Sequence, residues 1–166
     1  MKKIFKYIFA GMAAMSVVAC SEDALETSPS SSVSGNELLG TATNALVSLN
    51  GVYRAMYTAG VSNSSNTHQC FGITAYNLVA DVMGEDCIMN GQGSGWFWYD
   101  CVYNVKSRYT STGWRSYDMW NGYYTWISNV NYILAEEETM SGSETEKNYV
   151  LGQAYAVRAY SYFMLA

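Results

Sequence analysis

Two long stretches near the end of the printed chain carry apolar residues at helical spacing, and a short polar turn joins them. The first extends from about Gly113 to Glu137, and the second follows a capping box formed by Ser143 and Glu146. The first stretch carries two adjacent stripes. The first stripe is Tyr117, Trp120, Tyr124, Ile127, Asn131 and Leu134, and the second stripe is Met119, Tyr123, Trp126, Val130 and Ile133. The second stretch carries one inner face of Val150, Ala154, Val157, Ser161 and Met164. This pattern predicts a helical hairpin with apolar faces too wide to be covered by two helices alone.

The preceding part of the chain also favours helices. Ser34 and Glu37 form a second capping box, and the apolar spacing after it predicts a helix that ends near Gly60. Residues 71–82 fit either a short helix or a buried extended segment. The glycine-rich residues 84–113 predict a long irregular loop. We therefore expect an all-α fold of helical hairpins with long irregular loops.

The first residues of the chain resemble an export signal. Three lysines lie within the first six residues, and a mostly apolar run, residues 7–19, follows them. This run is too short for a spanning helix, which needs roughly 20 apolar residues. It ends in Val17-Val18-Ala19-Cys20, the pattern at which a lipoprotein signal peptidase cuts. Residues 1–19 are therefore predicted to be a signal peptide, with a lipid on Cys20; the alternative is an ordinary secretory signal with an unrelated cysteine.

Residues 20–35 are polar and small and contain the only proline, Pro29, so they are predicted to form the lipidated start and a flexible tether. Removal of the signal would leave six basic residues against 14 acidic ones, a net charge of -8. The basic residues are also scattered along the sequence. Nucleic acid is therefore not expected as a partner, because phosphate binding needs a basic face.

The chain is rich in aromatic residues, with 15 tyrosines and five tryptophans. Either a surface for flat hydroxylated ligands or a tyrosine-rich helical core explains this count. The best candidate ligand-binding set lies in the glycine-rich loop and consists of Trp96, Trp98, Tyr99, Asn90 and Asp100. The alternative is that these aromatic side chains fill a gap in the core. Trp114, Trp120 and Trp126 have helical spacing, which favours a place in the core.

Catalytic and metal-binding patterns are weak. Asp81, Glu85 and Asp86 do not have a spacing that defines a catalytic pair or a calcium site. No C-x-x-C motif accompanies the single histidine, His68, so neither a metal nor a cofactor is predicted. The three cysteines after Cys20 allow one disulfide and one free thiol, or three buried apolar thiols.

Several segments in order resemble the N-terminal part of the SusD/RagB family of outer-membrane nutrient-uptake lipoproteins. The lipidated start and tether resemble the family in Cys20-Ser21-Glu22-Asp23 and Leu25-Glu26-Thr27-Ser28-Pro29. The segments ALVSLNGVYRAMY from Ala45, WNGYYTWISNVNYIL from Trp120 and GQAYAVRAYSYFML from Gly152 are similar to three family helices. The chain departs from the family at Gln153, where glutamate is usual, and at residues 129–131.

This resemblance implies tetratricopeptide-like helical hairpins in a cell-surface protein of the outer membrane. It implies capture of an oligosaccharide or peptide, without cleavage, for delivery to a SusC-like TonB-dependent transporter. A lipid-anchored scaffold that binds a protein partner and a lipid-anchored glycoside hydrolase remain alternatives. Residues 36–166 would then be an N-terminal portion of the helical domain, incomplete at its C-terminus; the alternative is a complete small lipoprotein that dimerises through this end.

Overall fold

A computed structural model describes residues 38–59, 67–84, 86–102 and 109–166, all within one compact unit, Gly35–Ala166. Its helices are α1 (Ala42–Ala55), α2 (Ile73–Met83), the single turn α3 (Trp98–Cys101), α4 (Trp114–Ala135) and α5 (Glu144–Leu165). A 3₁₀ turn, Thr67–Gln69, precedes α2. Within these residues the only bridge of β type is an isolated one between Thr41 and Ser141. The prediction of an all-α fold is confirmed.

The hairpin of α4 and α5 forms as the apolar spacing predicts. The capping box is present, since Ser143 N donates to Glu146 Oε2 at 2.9 Å and Glu146 N donates to Ser143 Oγ at 3.3 Å. Both bonds satisfy donors that the first turn of a helix otherwise leaves without partners. The predicted inner face of α5 is buried except for Met164, which is half-buried.

Helix α1 packs against this hairpin and completes the core. Leu49 of α1, Trp126 of α4 and Ala154 of α5 are all fully buried in one apolar cluster. The start of α1 is tied to the α4–α5 turn, because Ser141 N donates to Gly40 O and Ala42 N donates to Ser141 O, each at 2.9 Å. The hairpin therefore covers part of its wide apolar surface with α1.

The two apolar stripes of α4 have different environments. The second stripe, which contains Trp126 and Val130, is buried except for Met119, which is partly buried. Ile127 and Leu134 of the first stripe are also buried. The N-terminal part of the first stripe was expected to be buried as well, but Tyr117, Trp120 and Tyr124 are exposed. In the described part of the chain, α1 and α5 pack on the second stripe, which leaves these three rings at the surface.

Helix α1 is shorter than its apolar pattern predicts. The predicted capping box at residues 34 and 37 and the predicted end at residue 60 lie outside the described residues. A bend at Gly40 separates Leu38 and Leu39 from α1, and Thr41 caps the helix by accepting a bond from Asn44 N at 3.1 Å. The helix ends at Ala55, and the Met56 carbonyl accepts a bond from Ile73 N at 2.8 Å.

The alternative left open for residues 71–82 is resolved as a helix, α2. Gly72 lets α2 start directly beside the end of α1, because its φ is 70° and a side chain there would collide with the Met56 carbonyl. Tyr76 of α2 packs on Tyr123 and Trp126 of α4, with ring centroids 5.3 and 5.9 Å apart. Helix α2 is thereby fixed on the N-terminal half of α4, and the irregular loop begins from this point.

Candidate functional site

The predicted binding residues lie in the irregular segment between α2 and α4. Phe97 is buried there and has a left-handed φ of 57°. Its backbone N–H donates to Gln69 Oε1 at 3.0 Å. A residue other than glycine rarely adopts this conformation unless its surroundings support it. The bond from Phe97 and the burial of its ring therefore fix the point at which the chain turns into α3.

A buried ion pair joins α3 to the start of α4. The Arg115 guanidinium donates from Nε to Asp100 Oδ1 at 3.2 Å and from Nη2 to Asp100 Oδ2 at 2.9 Å. The two residues are only 3% and 6% exposed. Paired donors on one carboxylate give a guanidinium a fixed orientation. Asp100 was predicted to bind the ligand, but its carboxylate is paired with Arg115 of the same chain.

The same guanidinium contacts two further segments. Nη1 of Arg115 donates to the Gln69 carbonyl at 2.9 Å. Its central carbon lies 4.2 Å from the ring centroid of Trp114 and 4.9 Å from that of Phe97, distances at which a cation is attracted to an aromatic ring. Arg115 therefore connects the 3₁₀ turn before α2, the irregular loop and the first turn of α4.

Tyr109 adds a third donor to the Asp100 carboxylate. Its hydroxyl donates to Asp100 Oδ1 at 2.5 Å. Burial, followed by this hydrogen bond and the Asp100 charge, raises the pKa of Tyr109 above its ordinary value. The hydroxyl consequently keeps the proton that it donates.

These residues surround a partly open cavity of about 160 Å³. Its walls combine aromatic rings, an amide and the ion pair, and its lining residues are Gln69, Gly95, Tyr99, Asp100, Tyr109, Trp114 and Arg115. Tyr99 is 41% exposed at this position. The cavity therefore offers ring faces next to hydrogen-bonding groups, the combination that a hydroxylated ligand requires.

The predicted site residues are only partly brought together. Tyr99 and Asp100 line the cavity, while Trp96, Trp98 and Asn90 do not. Trp96 is 47% exposed and packs against His68, with ring centroids 5.1 Å apart. Trp98 is half-buried and Asn90 is exposed. The loop thus has exposed aromatic rings both at the cavity and outside it.

Five lining residues were not predicted as part of the site: Gln69, Gly95, Tyr109, Trp114 and Arg115. Trp114 was expected in the core with Trp120 and Trp126, yet only Trp126 is buried, and Trp120 is exposed. No periodic pattern links Arg115 to Asp100, because the two residues belong to different helices, α4 and α3. The one available signal was a lone arginine beside a tryptophan in the first turn of a helix.

Asp81 and Asp86, which were weighed for catalysis or calcium binding, do not line the cavity. Asp81 and Asp86 are exposed, and Glu85 lies outside the described residues. No cluster of three histidine, cysteine, aspartate or glutamate residues suited to a metal occurs in the described ranges. Cys70, Cys87 and Cys101 form no disulfide, and only Cys70 of the three is buried. Neither of the two alternatives left open for these cysteines, one disulfide or three buried thiols, is therefore found.

Residues 25–166 match the model of a protein family, SusD-like, which is described as "Starch-binding associating with outer membrane". The match covers most of the chain and includes every residue of the cavity. Comparisons with curated proteins and with solved structures each gave no match.

Proposed function

This chain belongs to the SusD-like family, and we propose that it is a cell-surface binding protein that captures oligosaccharides through the cavity and the aromatic loop beside it. The observation that carries this proposal is the placement of Tyr99 and Trp114 around a cavity that also contains an amide and a tyrosine hydroxyl. Aromatic rings provide an apolar face for the C–H groups of a sugar, and the polar groups bind its hydroxyls.

The size of the cavity defines the proposed mode of binding. Pockets that enclose a drug-sized ligand usually have about 300–1,000 Å³, whereas this cavity has about 160 Å³. One sugar unit, and not a whole oligosaccharide, would occupy it. The remaining units would extend over the exposed part of the loop, where Trp96 lies outside the cavity. Affinity would therefore increase with chain length over the first few units.

Equilibrium titration of the detergent-solubilised full chain with maltoheptaose tests this role, with a panel of other neutral glycans in parallel. Tyr99→Ala is expected to weaken binding at least tenfold, about 1.4 kcal/mol. Tyr149→Ala is the matched control, because Tyr149 is an exposed tyrosine of α5 and does not line the cavity. Equal affinity of both variants and the native chain would contradict the site, and absence of binding to every glycan would contradict the function.

The proposed role involves capture without cleavage. Asp81 and Asp86 are exposed and do not line the cavity, and the cavity's own carboxylate, Asp100, is paired with Arg115. A glycosidase instead needs two carboxyl groups placed on either side of the bond. Chromatography of maltoheptaose after long incubation should recover it intact. Shortened products that disappear in Asp86→Asn would support the hydrolase instead.

The anchor is the second part of the proposal: a lipid on Cys20 holds the chain at the outer membrane, after removal of residues 1–19. Cys20 lies outside the described residues, and none of the described helices is long and apolar enough to cross a membrane. The support is the basic and apolar start that leads to this cysteine. Mass spectrometry of the N-terminal peptide should find acyl groups on Cys20, and Cys20→Ala should release the chain from the membrane. An unmodified Cys20 would contradict the anchor.

The proposed partner is a SusC-like TonB-dependent transporter, which would receive the oligosaccharide. Support comes from the family resemblance and from the family's description as associating with the outer membrane. Co-purification of the tagged chain from its native outer membrane should recover a large β-barrel protein. Failure to recover one under conditions that retain the lipid anchor would contradict this partner.

One observation favours a second candidate function, a scaffold for a protein partner. Trp120, Tyr124 and Tyr162 form an exposed aromatic face on α4 and α5, with Trp120 and Tyr124 ring centroids 4.8 Å apart. Exposed aromatic groups of this kind also occur at protein interfaces. Loss of partner capture in Trp120→Ala, together with full capture in Tyr99→Ala, would favour the scaffold.

A further inference from the structure

We propose that Arg115 and Asp100 are positioning residues of the carbohydrate site: their ion pair holds the loop aromatics in the binding arrangement before any ligand arrives. This inference rests on the proposed function. It gives Asp100 a role different from the direct ligand contact predicted for it, because its two carboxylate oxygens already accept bonds from Arg115 and Tyr109.

The connections around Arg115 form a closed ring. Arg115 binds the Gln69 carbonyl, the Gln69 side chain accepts from Phe97 N, and the Phe97 ring lies under the guanidinium. Asp100 binds the same guanidinium separately, by accepting bonds from Nε and Nη2 of Arg115. Loop positions 97 and 100 are therefore both attached to the same guanidinium.

The proposed binding aromatics occupy the positions next to these two attachment points. Trp96 directly precedes Phe97, and Tyr99 directly precedes Asp100. Trp98 lies between the two attachment points, Phe97 and Asp100. Three consecutive peptide units between two fixed points have little freedom, because backbone geometry limits their rotation. Trp114 is attached to the same centre through its contact with the guanidinium. One buried pair thus sets the relative positions of Tyr99 and Trp114 across the cavity.

Preorganisation of this kind lowers the conformational cost of binding, because the loop does not have to be ordered by the ligand. A lysine in place of Arg115 would retain the positive charge. It would lose the planar guanidinium, which makes both the paired bonds to Asp100 and the bond to the Gln69 carbonyl. Arg115→Lys is therefore expected to loosen the loop while the charge at the site is unchanged.

Hydrogen exchange of the ligand-free, detergent-solubilised full chain tests the positioning role independently of any glycan. Arg115→Lys and Asp100→Asn should each accelerate amide exchange at residues 95–101 at least tenfold, with exchange in the buried part of α5 unchanged. Lys147→Ala is the matched control, because it removes an ion pair between Lys147 and Glu144 in the first turn of α5, and neither residue lines the cavity. Unchanged exchange at residues 95–101 in both variants, or equal acceleration throughout the chain, would overturn the proposal.

Binding of maltoheptaose to the same variants provides the second measurement. Arg115→Lys and Asp100→Asn should each lose at least tenfold in affinity, and the double variant should lose no more than the weaker-binding single variant, because both changes break one unit. Additive losses would indicate separate ligand contacts and would overturn the positioning role. If the native chain bound no glycan while exchange at residues 95–101 still increased in the variants, the proposed function would fail, and only the ordering of the loop by the ion pair would be supported.

Discussion

The Tyr76 hydroxyl on α2 donates a hydrogen bond to the backbone carbonyl of Asp118 on α4, with 3.1 Å between the two oxygens. Both residues are almost completely buried. Burial is the largest of the effects that raise the pKa of Tyr76, so its hydroxyl remains a donor. This bond and the packing of the Tyr76 ring on Tyr123 and Trp126 attach α2 to α4, the helix that carries Trp114 and Arg115.

Gly122 makes room for this contact, and Gly122→Ala should break it. A methyl group at this position would collide with the Tyr76 hydroxyl. The expected loss is about 1–3 kcal/mol in the free energy of unfolding, typical of an overpacked core, measured by urea denaturation. Gly152→Ala is the control, since Gly152 of α5 has nothing near the position of the added methyl group. The Gly152→Ala variant should be more stable than the native chain, because alanine is the better helix former. Equal changes in the free energy of unfolding for Gly122→Ala and Gly152→Ala would contradict this account of α2.

Asp118 should make stability depend on pH. Burial raises the pKa of its carboxyl above the ordinary value of 3.8, although Cys70, Arg115 and Tyr76 lower it in part. A carboxyl with a raised folded-state pKa contributes fully below its unfolded-state pKa, and this contribution is lost as the pH rises through the folded-state value. Unfolding free energy measured from pH 4 to pH 8 should therefore fall through this range.

Asp118→Asn should remove that part of the fall, because asparagine does not ionise. Asp81→Asn is the matched control, as Asp81 is an exposed aspartate of α2. A pH profile of Asp118→Asn that runs parallel to the native profile would show that the pKa of this carboxyl is the same in the folded and unfolded states, which would contradict the raised folded-state pKa.

Thr41→Ala should destabilise the chain through the first turn of α1. Thr41 Oγ1 accepts the bond from Asn44 N, and its loss leaves a helix donor without its cap. Loss of such a cap usually costs about 1 kcal/mol, measurable by thermal or urea unfolding. Thr43→Ala, an exposed threonine inside α1, should be neutral or slightly stabilising. A Thr41 variant as stable as the native chain would contradict the cap.

The three thiols should react at clearly different rates. Cys87 is exposed and Cys70 is buried, with Cys101 half-buried. A thiol reagent such as Ellman's reagent should modify Cys87 first and Cys70 only on unfolding, because access controls reaction at similar thiols. The fast phase should disappear in Cys87→Ser. A native chain with a disulfide between any two of these cysteines would contradict the arrangement.

Periodicity predicted α4 and α5 well because their apolar positions repeat over six turns, and local chemistry predicted the cap at Ser143. Periodicity did not predict which stripe of α4 is buried, because both stripes contain large aromatic residues. The buried position depends on where α1 packs, which is a tertiary property. The later start of α1 follows from the bend at Gly40, where the chain is hydrogen-bonded to Ser141.

The binding loop was predictable as a glycine-rich aromatic segment, and Tyr99 does lie at the cavity. The pairing of Asp100 with Arg115 was not predictable, because the two residues are 15 positions apart and belong to different helices. A carboxylate beside aromatic residues gives the same sequence signal whether it binds a sugar or an arginine. Only tertiary structure separates these roles.

A comparison of two tryptophans of α4 tests the carbohydrate site most directly. Trp114 lines the cavity, whereas Trp120, six residues later, is exposed on the aromatic face with Tyr124. Calorimetric titration of maltoheptaose should show at least a tenfold loss of affinity in Trp114→Ala and a change below twofold in Trp120→Ala. Loss of affinity in Trp120→Ala with unchanged binding in Trp114→Ala would place the ligand on the other face and contradict the proposed site.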